Sequence, residues 1–166
     1  MLIEVGEFCR RIETDMAGLI DELQELTGRY GQAERQAWER SLPKVSVVLA
    51  KPPLRNLHLH LGQSAGMAIE YRLPASSSWC DLVLLGRHKE QPGVVIVELK
   101  EWDTDGDRPG PREGLIHHRG NNVLHPSDQV RGYAEYCRLF HSTVQDEGAA
   151  VAGCVYFTRN SNLGPY

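Results

Sequence analysis

Two short apolar runs separated by a polar stretch constrain this chain more than any other feature. Residues 82–85 and 94–97 are entirely apolar, and the second run is entirely β-branched. Such runs are typical of strands that are buried on both faces. The stretch between them, residues 86–93, begins and ends with glycine and contains Pro92, which indicates a turn. Together the three segments predict an antiparallel hairpin.

Charged residues lie at the open end of this predicted hairpin. Asp81 precedes the first apolar run, and Glu98 and Lys100 follow the second. Antiparallel pairing brings the start of one strand beside the end of the next. Because side chains alternate along a strand, Glu98 and Lys100 share one face and Leu99 points to the other. We therefore expect two carboxylates and a lysine to converge.

This combination of residue types suits the metal-assisted hydrolysis of a phosphate ester. Adjacent carboxylates repel each other, and a hard divalent cation such as Mg²⁺ compensates for their charge. The cation acidifies a bound water and stabilises charge on a phosphate, while a lysine positions the water. Glu-x-Lys alone is common by chance, so the prediction of a nuclease depends on Asp81 in the preceding strand.

The hairpin resembles the active site of the PD-(D/E)xK nuclease superfamily, in which one strand carries Asp and the next carries Glu-x-Lys. Three segments look more narrowly like a nuclease-like domain found ahead of a helicase-type ATPase in a group of bacterial proteins: Glu-Tyr-Arg-Leu-Pro (70–74), Val-Glu-Leu-Lys-Glu-Trp (97–102) and His-Pro-Ser-Asp-Gln-Val-Arg-Gly-Tyr (125–133). The resemblance covers about residues 30–158. It implies an α/β fold with a restriction-endonuclease-like core, in which a mixed central sheet of about four strands is flanked by helices.

The resemblance also implies roles for individual residues. The implied catalytic residues are Asp81, Glu98, Lys100, Gln129, Tyr133 and Glu34, and the implied ligands of Mg²⁺ or Mn²⁺ are Asp81, Glu98 and the backbone carbonyl of Leu99. Lys100 orients the attacking water. Gln129 and Tyr133 lie on one face of a helix predicted to begin at Pro126, where they steady the water or the phosphate. Glu34 is implied to lie in the outer shell of the metal site, and Glu39 is the alternative residue for that role.

Two predicted loops could contribute further contacts. Residues 102–122 are polar and rich in Gly and Pro, and only a short piece near 115–117 looks extended. The later half of this loop is basic, so we expect Arg108, Arg112 and Arg119 to contact a phosphate backbone; a flexible loop without that role is the alternative. In the loop predicted over 50–66, His58 and His60 are a weaker alternative metal site.

The remaining organisation follows from local patterns. Residues 1–30 predict an N-terminal amphipathic helix, residues 31–158 the nuclease-like core, and residues 159–166 a C-terminal tail. A helix predicted over 32–42 either ends at Pro43 or continues past it, and the last strand is predicted over 149–157. Because relatives continue with further helices and an ATPase, we expect the chain to be a fragment.

Composition limits the classes of protein to which the chain can belong. Its 166 residues, 41% of them hydrophobic, are enough for one domain with a core. The net charge of −4 excludes a global basic field, so any contact with nucleic acid must be local. The four cysteines lack CxxC spacing, which argues against a zinc site and fits reduced thiols in the cytosol. The sequence shows neither a membrane span nor a secretion signal. We expect a cytoplasmic protein without a membrane segment.

We therefore expect a metal-dependent nuclease that hydrolyses phosphodiester bonds, with DNA favoured over RNA. The alternative is a catalytically silent module of the same fold that binds nucleic acid or docks on a helicase-type ATPase, in cis or in trans. A third interpretation, an interaction domain unrelated to nucleic acid, requires that the hairpin prediction be wrong. Cleavage of both strands of a duplex would favour a homodimer.

Overall fold

The computed structural model describes residues 1–51, 67–74, 76–88, 90–159 and 163–166, so His58 and His60 lie outside the described residues. In chain order the elements are β1 (Leu2–Ile3), α1 (Val5–Thr14), α2 (Met16–Thr27), α3 (Gln32–Leu49), β2 (Met67–Arg72), β3 (Trp79–His88), β4 (Gln91–Lys100), β5 (Arg108–Pro109), β6 (Leu115–His118), β7 (Asn121–Leu124), α4 (Pro126–Phe140), α5 (Ser142–Asp146) and β8 (Ala150–Phe157). None of the helices in these ranges has the length and apolar composition needed to cross a membrane.

The main sheet is mixed, as predicted for an α/β fold. Among the described residues it has five strands in the order β1-β2-β3-β4-β8, one more than expected because β1 adds a two-residue edge. Strands β1, β2, β3 and β4 pair antiparallel with one another in sequence, and β8 runs parallel to β4. The predicted hairpin is confirmed as β3 and β4. Pairing extends to His88 and Gln91, so the connection is shorter than the predicted turn.

The N-terminal segment is two helices, so the prediction of a single helix there is wrong. Asp15 lies between α1 and α2, with φ −154°, and its side chain accepts a hydrogen bond of 3.2 Å from the backbone N–H of Gly18. An aspartate in this position caps the N-terminus of a new helix. The cap therefore interrupts a pattern of apolar residues that is otherwise continuous. The second helix ends at Gly28, which has φ 69°.

Helix α3 continues through Pro43 to Leu49, which decides between the two predicted outcomes. Proline removes one helical hydrogen bond and disfavours a helix interior. Leu42, which precedes the proline, and Val45 and Leu49, which follow it, are nevertheless buried. Burying each such side chain contributes about 1.5–3 kcal/mol, which offsets the loss.

The sheet has helices on both faces. On one face α1, α2 and α3 pack on the strands, and Phe8, Leu19 and Leu23 share a core with Ile69 and Leu82. The other face is covered mainly by α4, in a second cluster formed by Val83, Cys80, Ile96, Val130, Ala134, Cys137 and Val151 among others. Because the two clusters hold the hairpin from both sides, its open end has a defined position.

The short extended piece predicted near 115–117 is confirmed as β6, but the segment predicted as a loop over 102–122 contains further strands. Strands β5, β6 and β7 form a separate antiparallel sheet, which we call the small sheet. Its strands are two to four residues long, too short for an alternating apolar pattern to show in the sequence. Ile116 is fully buried, whereas Arg108, His117 and Asn122 are paired in one row across the three strands. The small sheet therefore connects β4 to α4.

Candidate active site

Regular backbone pairing of β3 and β4 stops next to Asp81. The β3–β4 ladder extends from Leu82–Val97 to His88–Gln91. On the other side of β3, the partner strand contributes Glu70, which has φ 53°, a left-handed conformation that is costly for a residue with a side chain. The Asp81 carboxylate accepts a hydrogen bond of 2.7 Å from the backbone N–H of Leu99. The side chain of Asp81 is thereby held against the segment between Glu98 and Lys100.

Glu98, Lys100, Gln129 and Tyr133 form one hydrogen-bond network. Lys100 Nζ donates to Glu98 Oε1 at 2.6 Å and to Gln129 Oε1 at 3.0 Å. Gln129 Nε2 lies 2.7 Å from Glu98 Oε1 and 2.9 Å from the Tyr133 hydroxyl. The predicted residues of β4 and α4 are therefore in contact, because α4 packs on the sheet at the end of β4.

Burial raises the pKa of both acids. Glu98 is 3% exposed, and burial followed by the nearby charge of Asp81 raises its pKa to about 7, against the opposing effect of Lys100 and Gln129. The pKa of Asp81 is also raised, chiefly by burial, although the N–H of Leu99 and the charge of Lys100 act in the opposite direction. A buried carboxylate and a half-buried one of like charge disfavour full ionisation of the pair.

Asp81 and Glu98 are the acidic side chains here that could hold a divalent cation. The Oε2 atom of Glu98 is buried and has no hydrogen-bond partner among the described residues, and a buried polar atom of this kind needs a partner. In those residues no group of three or more His, Cys, Asp or Glu side chains could hold a metal ion. Side chains thus offer Asp81 and Glu98, with the carbonyl of Leu99 as the candidate third ligand. Mg²⁺ suits such a site because it retains several waters and needs few carboxylates.

Glu34 shares a cleft with Asp81, and none of the four network residues lines that cleft. Its carboxylate is 3.5 Å from Arg29, and it lines a cleft of ≈ 140 Å³ together with Asp81 and Leu99. The competitor Glu39 pairs instead with Arg35 at 3.1 Å. Of the two glutamates, Glu34 is therefore the one that shares a surface with Asp81.

Glu70 begins the first of the three segments that carry the resemblance, which implies no catalytic role for it, and its side chain lines the same cleft as Asp81. It is 7% exposed, and its two oxygens accept hydrogen bonds from Trp38 Nε1 at 2.7 Å and from Arg29 at 2.6 Å. Burial and the charge of Asp81 raise its pKa, while these donors lower it. Both oxygens of Glu70 are thus hydrogen-bonded, and its side chain forms one wall of the cleft. The sequence signal for it was its place in the strand that precedes the hairpin.

The three predicted phosphate-contacting arginines lie on or beside the small sheet. Arg108 is in β5, Arg112 precedes β6, and Arg119 is in the β6–β7 turn with φ 47°. All three are exposed. Within the part of the chain that the structure describes, none of them forms an ion pair. Residues 108–125 carry three arginines and one glutamate in a chain with a net charge of −4, so positive charge is concentrated here.

The site combines a buried and a half-buried carboxylate, a lysine and an amide, a set that can bind a divalent cation and orient a water. No protein-family model, curated protein or solved structure matches this chain. The function of the site is therefore inferred from its residues alone.

Proposed function

We propose that this chain is a metal-dependent nuclease that hydrolyses phosphodiester bonds in nucleic acid, DNA in preference to RNA, on a restriction-endonuclease-like core. One observation carries the proposal. Glu98 is buried with Oε1 bonded to Lys100 and Gln129, while Oε2 has no partner among the described residues. An acid held this way, with Asp81 close enough to affect its pKa, is suited to a cation.

The energetic cost of this cluster supports a functional role. A buried carboxylate is unfavourable unless it is paired, and a second one nearby adds repulsion. Apolar residues at these positions would stabilise the sheet more. Strongly shifted pKa values next to a specific charge partner are concentrated at functional sites, and a module that only docks on a partner has no need of them.

The proposed reaction is direct hydrolysis without a covalent intermediate. The oxygen of a water forms a bond to phosphorus and one P–O ester bond breaks, which leaves a phosphate monoester and a hydroxyl group. Asp81, Glu98 and the carbonyl of Leu99 would hold Mg²⁺ or Mn²⁺, which would supply charge neutralisation and acidify a bound water. Lys100 Nζ donates hydrogen bonds to the water or to a phosphate oxygen, while Gln129 and Tyr133 hold Lys100 and Glu98 in place.

The small sheet is the proposed contact for the phosphate backbone. Arg108, Arg112 and Arg119 are exposed and have no acidic partner in the described ranges, so their guanidinium groups are available to phosphates. Because the small sheet lies between β4 and α4 in the chain, it starts and ends at elements that carry site residues. The substrate is then bound next to the carboxylates by a local basic surface on an acidic protein.

A cleavage assay tests this function. Circular single-stranded DNA and supercoiled duplex DNA are incubated with Mg²⁺, Mn²⁺ or a chelator. The wild type is compared with Asp81→Ala and Lys100→Ala, and with Lys51→Ala as a matched control, because Lys51 is an exposed lysine outside the site. We expect metal-dependent cleavage in the wild type and in the control, and none in the two site variants.

The opposite result would identify the docking module. If neither metal supports cleavage and DNA still shifts in a gel, with the site variants equal to the wild type, the chain binds nucleic acid without cutting it. If cleavage persists in Lys100→Ala and Asp81→Ala, the activity belongs to another site or to a contaminant.

A further inference from the structure

The indole of Trp102 lies between the proposed catalytic lysine and the small sheet. Lys100 Nζ is 5.4 Å from the centroid of the Trp102 ring. The same ring is stacked on His118, with centroids 4.1 Å apart and planes inclined by 16°. A cation within about 6 Å of an indole is attracted by the negative face of its π-system. Trp102 thus contacts both Lys100 and β6.

The imidazole of His118 is in turn paired with the carboxylate of Asp107. His118 Nδ1 is 2.8 Å from Asp107 Oδ2, and only 9% and 3% of the two side chains are exposed. The Tyr166 hydroxyl donates to the same oxygen of Asp107 at 2.5 Å. A buried and fully engaged polar pair of this kind has little freedom to move, so the stacked ring has a fixed support.

We propose that Trp102 is a positioning residue for Lys100, and that the Asp107–His118 pair holds Trp102 in place. The inference rests on the proposed nuclease function, in which Lys100 must present its ammonium group to the water or phosphate. A lysine side chain has four rotatable bonds and is strongly hydrated. Hydrogen bonds to Glu98 and Gln129 restrain it, and the indole adds restraint without itself accepting a conventional hydrogen bond.

This arrangement connects substrate contact with catalysis. The small sheet carries Arg108, Arg119 and His118, and His118 contacts the ring that restrains Lys100. A displacement of the small sheet therefore displaces the support of Lys100. The alternative is that the stack only anchors the small sheet, in which case Lys100 has the same position without the indole.

Two substitutions of Trp102 separate these roles when kcat and KM are measured for DNA cleavage. Trp102→Phe keeps an aromatic face, and Trp102→Leu keeps apolar bulk but removes the π-system. We expect Trp102→Leu to lower kcat about tenfold with KM changed less than about twofold, and Trp102→Phe to retain most of the activity. Equal kcat values in the wild type and Trp102→Leu would overturn the proposal.

A double-mutant cycle supplies a readout that does not depend on cleavage. The free energy of unfolding is measured in chelator for the wild type, Trp102→Leu, Lys100→Met and the double variant. We expect a favourable coupling between Trp102 and Lys100, whereas additivity means that the two side chains do not interact and overturns the inference. If the wild type cleaves no substrate, the proposed function fails and the positioning role fails with it. An active wild type with additive variants removes the positioning role alone.

Discussion

The carboxylate of Asp81 accepts a hydrogen bond of 2.7 Å from the backbone N–H of Leu99, so the first acid of the site is tied to the strand that carries the second. In a regular antiparallel ladder such an N–H pairs with a backbone carbonyl of the neighbouring strand. Here a side chain takes that place, next to Glu98 and Lys100. The relative position of the two acids is therefore set by the fold before any ligand binds.

Asp81→Asn separates this structural contact from metal binding. The amide oxygen can still accept the N–H of Leu99, while the negative charge is lost. In the wild type we expect Mg²⁺ to raise Tm, since a ligand that binds only the folded state stabilises it; in Asp81→Asn we expect this rise to be absent. Asp81→Ala should in addition lose about 1–3 kcal/mol, because the N–H of Leu99 loses its partner. An equal Mg²⁺ effect on Tm in the wild type and Asp81→Asn would exclude Asp81 as a ligand.

The buried Glu98 makes the metal-free protein less stable as pH rises. Its pKa is about 7 in the folded chain and 4.5 ordinarily, so between these values the folded state holds a proton that the unfolded state has released. Stability from this group is complete below pH 4.5 and is lost as pH approaches 7, by at most about 1.4 kcal/mol per pH unit. Glu98→Gln should flatten this dependence and be more stable than the wild type at pH 8.

Urea unfolding at pH 5 to 8 in chelator measures the effect of Glu98. Glu135→Gln is a suitable control, because Glu135 is an exposed glutamate on α4. We expect the free energy of unfolding of the control to follow that of the wild type across the range. Parallel curves for the wild type and Glu98→Gln would show that Glu98 does not change protonation on unfolding in this window.

Gln129 should matter more than Tyr133, because it contacts three members of the network. Gln129→Ala removes its bonds to Glu98, Lys100 and Tyr133, and we expect a loss of about 1–3 kcal/mol in stability together with a lower kcat. Tyr133→Phe removes one hydroxyl and should cost about 0.5–1.5 kcal/mol. Thermal unfolding and cleavage rates measure both variants. A larger effect in Tyr133→Phe would contradict the network as described.

The exposed arginines should control the salt dependence of DNA binding. Each phosphate contact contributes about −0.9 to the slope of log K against log salt concentration for duplex DNA. On a Lys100→Ala background, which prevents cleavage, Arg108→Ala and Arg119→Ala should each reduce the slope by about 1. Arg10→Ala is the matched control, since Arg10 lies on α1 and is paired with Glu7. Unchanged slopes in the small-sheet variants would exclude their contact with phosphates.

Much of the fold could be predicted from the sequence, because the signals are local. A run of β-branched residues predicted β4, alternating small and large apolar residues predicted β8, the turn formers predicted the hairpin, and Pro126 at a first helical turn predicted α4. The alternation of side chains placed Glu98 and Lys100 on one face, where they are in contact at 2.6 Å. These features depend on residues within one or two turns or strands of each other.

The tertiary structure decided the rest, because the contacts involved join residues far apart in the chain. Trp38 and Arg29 converge on Glu70 only when α3 packs on the sheet, and Tyr166 reaches Asp107 only in the folded chain. Only β6 of the small sheet showed in the sequence, because β5 and β7 are short and mostly polar, and the break between α1 and α2 depends on one capping aspartate. The sequence alone thus predicted which acids, lysine and amide meet at the open end of the hairpin; burial decided their pKa values and partners, since desolvation exists only once both faces of the sheet are covered.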